Sequence, residues 1–366
     1  MTICKSKTDR LTTVQATAII ACFMMGAEII TLPRQAVSLA HTPDVWLSIL
    51  FTGCITFLVM WIGIKLSQRF PSSSLYEYIQ QITGKAIGKG LGLLIVIYYL
   101  CIASFELRSV NEVTSFFLLE GTPVWALSSL LLWISLYLCL EGIYVIGKVL
   151  QIIFPIIFLV FLLICFLGVN LFELDNLRPV LSEGFPPVFK AMQSTPLAFA
   201  GSECFLFILC QMEKPQKAAK AAGMGLGVAV FFYTVSSIVC IGVFAVEGVI
   251  TRIWPFFDLV RSVEVDYLLL ERLESLLFSI WILQIFATFT LAYYCTALGI
   301  SQILHVSYAK TLFALLPLIY IISNLPANMN ELDAFSDILG ILAIILFAVI
   351  PPILLLISRW RRLGHD

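Results

Sequence analysis

Of 366 residues, 60% are hydrophobic and only 12% charged, about half the roughly 25% charge of a soluble domain. The net charge of −1 excludes a generally basic surface, and with it nucleic acid as a partner. Apolar blocks long enough to cross about 30 Å of hydrocarbon, about 20 residues each, define the class: an all-α integral membrane protein whose solvent is the lipid bilayer.

The chain begins with Lys5, Lys7 and Arg10 ahead of an apolar stretch from Leu11 to Leu32. That stretch is longer than the roughly 7–15 residues of a signal-peptide core, so it is read as a first span. Apolar runs bounded by turn and charge signals predict ten transmembrane helices, at about 12–32, 44–66, 91–119, 124–142, 147–169, 187–210, 222–247, 275–300, 309–325 and 336–358. The third is too long to stand upright and must tilt or leave the hydrocarbon. Together they form a single permease-like domain over 1–366, with half-repeats at about 11–169 and 187–358.

Basic residues set the direction. With the N-terminus inside, only Arg34, Arg108, Arg178, Lys190, Arg252, Arg261 and Arg272 of the 22 Lys and Arg residues fall in outer segments or helix ends. The positive-inside bias therefore predicts that both termini are cytoplasmic, as an even number of spans requires.

The first span reads FMMGAEIITLPR, with Gly26-Ala27-Glu28 ahead of Pro33, and the sixth reads PLAFAGSECFLF, with Gly201-Ser202-Glu203. The two glutamates are 175 residues apart, close to half the chain. The first span enters from the cytoplasm and the sixth from outside, as in a five-plus-five inverted repeat with helices 1 and 6 discontinuous. Small residues let the chain leave helical geometry, and the broken ends then offer N–H and C=O groups to a solute. Each glycine motif alone fits close helix packing equally well. A carboxylate beside both favours a ligand site, because an intramembrane charge costs on the order of 3 kcal/mol.

In the third span, Arg108 and Glu112 share a helix face and are expected to pair. With Glu106 they form a candidate structural or gating ion-pair group. Tyr98 lies deeper in that span and Tyr294 in the eighth; aromatic residues in spans are more often packing than ligand-lining. His41, His305 and His365 lie at or beyond helix ends without metal-ligand spacing. No phosphate loop or nucleophile elbow is present, so an enzyme is not expected, nor a cofactor, nor a metal.

The segments TLPR (31–34), ASFELRSVNEV (103–113) running into FFLLEGTP (116–123), NLRPVL (176–181), IWP (253–255) and ERLES (271–275) give the chain its resemblance to the endospore germination permeases. These are the B subunits of spore germinant receptors, within the amino acid–polyamine–cation transporter superfamily. The resemblance implies a leucine-transporter-type fold in the inner membrane of the spore. It also implies a site for a small germinant, an amino acid or a sugar, and A and C partner subunits. Carried over by position, that site falls on Gly26 and Ala27 in the first span and on Ala200, Gly201 and Glu203 in the sixth, with Tyr98 and Tyr294 at polar aromatic positions. The chain departs from the family's usual Gly-Ala-Gly with Gly26-Ala27-Glu28. Two other functions stay open at this stage: a proton- or cation-coupled amino acid transporter, and a structural membrane subunit without a ligand site.

Overall fold

The computed structural model describes residues 10–71, 73–117, 123–262 and 273–364. Lys5, Lys7, Arg272, His365, residues 118–122 of FFLLEGTP and residues 271–272 of ERLES lie outside them.

The described chain is almost wholly helical. The helices are α1 (Thr13–Met24), α2 (Glu28–Ala40), α3 (Val45–Gln68), α4 (Leu75–Thr83), α5 (Lys85–Phe117), α6 (Val124–Glu141), α7 (Ile143–Leu167), α8 (Pro186–Ala191), α9 (Phe205–Ile208), α10 (Ala218–Thr251), α11 (Pro255–Ser262), α12 (Leu273–Leu304), α13 (Tyr308–Ser323), α14 (Met329–Ala343) and α15 (Ile350–Trp360). Among the described residues six helical stretches are long and apolar enough to cross a membrane, or seven if α1 and α2, bent by 50° at their break, count as one span. Three shorter apolar stretches, at 125–141, 202–211 and 308–323, lie where the fourth, sixth and ninth spans are expected.

Local chemistry sets many of the boundaries. Thr12 with Gln15 and Ser74 with Glu77 form capping boxes that start α1 and α4, each satisfying two N–H groups that the first turn leaves free. Glycines at positive φ, Gly84 (90°) and Gly142 (85°), turn the chain between α4 and α5 and between α6 and α7. Between α14 and α15 the ladder widens into a π-helical stretch, Ile344–Val349. It sits just before Pro351 and Pro352, which bring no N–H to the ladder. α5 holds 33 residues, about 50 Å at 1.5 Å per residue, so it exceeds the bilayer core as expected.

The exterior is that of a protein in lipid. Leu58, Trp133, Ile152, Phe166, Ile341 and Leu356 all project outward, where a soluble protein would carry charge. Inside, α1 packs against α10 and α7, and α5 runs against α12. These three contacts hold α1 inside the bundle, and the 202–208 segment packs directly against it.

Candidate ligand site

Both expected interruptions are present. α1 ends at Met24 and α2 begins at Glu28, with Met25, Gly26 and Ala27 forming the bend. Pro33 lies inside α2 and does not make the break. The sixth segment is more open than a helix with one interruption. α8 gives way to a 3-10 turn at Met192–Ser194, then residues 195–201 form irregular turns, and 3-10 geometry resumes at Ser202–Cys204. Gly201 stands at φ 91°, a left-handed conformation that L side chains adopt at a cost.

The two interruptions touch. A Cβ on Gly201 would stand 2.8 Å from the carbonyl oxygen of Phe23, so only a glycine lets the second break approach the backbone of the first. Tyr233, buried in α10, ties them together: its hydroxyl lies within donating reach of the Met24 carbonyl and, at 2.9 Å, of the Ala198 carbonyl. From α12, Thr288 Oγ1 donates to the Cys22 carbonyl at 3.1 Å, and Gln284 Nε2 donates to the same oxygen. Carbonyls that α1 can no longer pair with N–H groups of its own are thereby satisfied by side chains, as buried backbone demands. Neither Tyr233 nor Gln284 with Thr288 carries a local sequence signal for this role, because each is defined only by what lies opposite it.

A small cavity of about 20 Å³ opens between the breaks, enough for one water. Gly26, Glu28, Tyr98, Ala200, Gly201 and Glu203 line it, as do Glu106, Tyr99 and Thr288. Tyr98 donates its hydroxyl to Glu203 Oε1 at 3.0 Å, and the Gly201 N–H donates to Glu203 Oε2 at 2.8 Å. Glu106 Oε1 accepts the Ala27 N–H at 3.5 Å, and a Cβ on Gly26 would collide with that carboxylate. Glu28 Oε2 accepts from Thr31 Oγ1 at 3.2 Å. Three carboxylates thus face one small space, and none of the described residues lining it is basic.

The remaining candidates sit elsewhere. Ser202 follows the break without lining the cavity, and Ala27 lines a second cavity, with Glu28, Glu112, Trp254, Trp281 and Asp333, toward the end of the bundle that carries α11. Glu28 is shared by both cavities. Tyr294 lies outside the site: its hydroxyl accepts from Gln211 Nε2 at 3.3 Å and its ring meets Tyr308. It is six residues beyond Thr288, about 9 Å further along α12. Arg108 and Glu112 form the expected ion pair, at 2.5 Å. Glu106 does not join them; it faces the cavity instead, because residues two apart on a helix point to different sides.

Interrupted helices meeting at mid-bundle around a polar cavity define a multi-pass integral membrane protein with two broken segments at its centre. Solved structures agree on the fold. The chain matches MhsT in complex with L-phenylalanine at a TM-score of 0.66 and 12% identity, covering 95% of this chain and 97% of that one. It matches Mhp1, a nucleobase-cation-symport-1 family transporter, at 0.65 and 13%, covering 93% and 78%. The architecture is therefore that of the leucine-transporter type. Within it, the family model for spore germination proteins matches residues 10–332, and the chain belongs to that family. Among its relatives is spore germination protein YndE of Bacillus subtilis (strain 168), 41% identical over 98% of this chain and 99% of the relative. Spore germination protein A2 of the same strain is 31% identical over 96% of both chains.

Proposed function

We propose that the chain is the membrane-embedded ligand-sensing subunit, the B subunit, of a spore germinant receptor. In this reading ten spans cross the inner membrane of the spore, with both termini on the cytoplasmic side. A small germinant, an amino acid or a sugar, enters from outside past Glu28 and binds between the two interruptions. It stabilises one arrangement of the bundle over another in proportion to its differential affinity for the two. The shift passes to A and C partner subunits, which trigger germination. The observation that carries this reading is the backbone contact between Gly201 and Phe23 beside a polar cavity. Any solute lodged there alters the seating of one half of the bundle against the other.

The test is a germination screen of spores with and without the gene across amino acids, sugars and nucleosides. It is followed by Glu203→Gln, with protein in the membrane measured by immunoblot. Loss of the response to at least one compound, and a shifted effective concentration in the variant, are expected. Identical responses with and without the gene would overturn the receptor reading.

A second reading, a proton- or cation-coupled amino acid transporter, draws on the sharing of Glu28 between both cavities with Glu106 beside it. Carboxylates in series suit the movement of a coupling ion. Uptake of labelled amino acid into vesicles, abolished by an uncoupler, would favour it; saturable binding without uptake favours the receptor.

A further inference from the structure

At the two interruptions the backbone donors are in use, while among the side chains lining the cavity the Glu106 Oε2 acceptor and the Tyr99 hydroxyl have no partner. The N–H groups of Ala27 and Gly201, one at each interruption, are bonded to Glu106 Oε1 and Glu203 Oε2. These are the groups a ligand carboxylate would seek at a broken helix. Such a carboxylate would have to displace the protein's own, and would then stand among three glutamates with no basic side chain among the described lining residues. The acceptor side is different. Oε2 of Glu106 has no hydrogen-bond partner, although the residue is only 4% exposed. A buried acceptor without a donor is unfavourable, and a charged donor relieves it most.

Size and spacing narrow the occupant. The room is that of one water-sized group, which an ammonium head matches while bringing three N–H donors. Among the described residues no three His, Cys, Asp or Glu side chains stand close enough together to hold a metal ion. The carboxylates are therefore spaced along the cavity rather than gathered at a point. Phe23, Ile102 and Leu197 supply apolar wall between them, suited to a short alkyl chain.

We propose that this cavity takes the ammonium group of a small organic amine, with Glu106 Oε2 as its principal acceptor and Glu28 and Glu203 beside it, and that it disfavours a ligand carrying a free carboxylate. This rests on the germinant-site reading above but changes its ligand class, from an amino acid or a sugar to a small amine of net positive charge without a free carboxylate. Glu28, which borders both cavities, is the side chain whose rotation admits the rest of the molecule.

The experiment uses the purified full chain in nanodiscs, with binding followed by calorimetry. The probes are butylamine, alaninamide, alanine, glucose and, at matched ionic strength, potassium chloride. Butylamine and alaninamide bind saturably, whereas alanine and glucose do not. Glu106→Gln weakens the amines at least about tenfold, the loss expected for one charged hydrogen bond, while Glu247→Gln, at an exposed position of α10, leaves them unchanged. If Glu106→Gln yields no monodisperse protein, Glu28→Gln carries the same comparison. The proposal is overturned if alanine binds as tightly as alaninamide, if potassium chloride competes the amines away at equal concentration, or if neither glutamate variant alters amine affinity. Failure here leaves the spore screen untouched. Amine binding by a protein whose deletion changes no germination response would instead sink the receptor reading and keep the charge assignment.

Discussion

Glu106 and Arg108 stand two residues apart on α5, yet the carboxylate reaches the Ala27 N–H at the first interruption while the guanidinium pairs with Glu112 at 2.5 Å. One helical turn therefore serves both the central cavity and a separate ion pair. The pair is half-shielded, with Arg108 14% and Glu112 30% exposed at the side chain, so screening weakens it less than at an open surface. A double-mutant cycle with Arg108→Gln and Glu112→Gln, read by thermal unfolding in detergent, is expected to give a coupling of about 1 kcal/mol. Because the pair does not line the central cavity, ligand affinity should move by less than about threefold. A larger change would make the pair part of a gate.

Gly201→Ala is expected to be strongly damaging for a single added methyl. The new Cβ would stand 2.8 Å from the Phe23 carbonyl oxygen and would occupy a left-handed backbone at φ 91°. The conformational cost alone is about 1–2 kcal/mol, and the collision adds to it. Gly227→Ala is the matched control, since a Cβ there meets nothing within 4 Å and the residue lies within α10. It should be neutral or stabilise by up to about 1 kcal/mol. Comparison of the two by detergent melting curves decides the matter: equal melting temperatures would remove the close approach of the two breaks.

Tyr233→Phe removes one hydroxyl that serves two interruptions, at the Met24 and Ala198 carbonyls. Leaving a buried carbonyl without a donor costs about 1–3 kcal/mol, although polar partners inside a bilayer average nearer 0.6 kcal/mol. The expected loss is about 0.6–3 kcal/mol, and it should be accompanied by faster hydrogen exchange around residues 24–28 and 198–203. Exchange unaltered at both segments would show that the tyrosine merely packs.

Tyr98→Phe tests the Glu203 carboxylate from the opposite direction. The variant loses the 3.0 Å bond to Oε1 but keeps the ring that packs on Tyr99 and Phe347. Stability should fall by about 1–3 kcal/mol. The germinant response should move to a different concentration while the level of protein in the membrane stays within about twofold. An unchanged dose curve at normal abundance would place Tyr98 among packing residues.

Much of this arrangement was legible in the chain. Bilayer length, basic-residue bias and turn residues located the apolar segments, and the pairing of Gly26 with Glu28 and of Gly201 with Glu203 marked both interruptions. The departure of Glu106 from the Arg108–Glu112 pair was also readable in principle. Positions 106 and 108 lie about 200° apart on a helix, so a charge at one cannot share the face of the other. Tyr294 stands apart from the cavity for a related reason: it shares α12 with Thr288, but depth along the helix axis depends on how α12 is seated against α1, which no local pattern reports.

Sequence by itself determined that this protein lives in a membrane, where its apolar segments lie and where two of them lose helical geometry, because hydrocarbon thickness and the stereochemistry of glycine act on short stretches of chain. Only the tertiary structure decided that the two broken segments touch, that Tyr233, Gln284 and Thr288 satisfy carbonyls freed by the first of them, and that three glutamates from three segments enclose one space with no basic side chain among its described lining residues. Those features depend on partners 79 to 266 residues away. Each long-range bond is selected by the whole packing of the bundle, which buried polar groups must satisfy together or not at all.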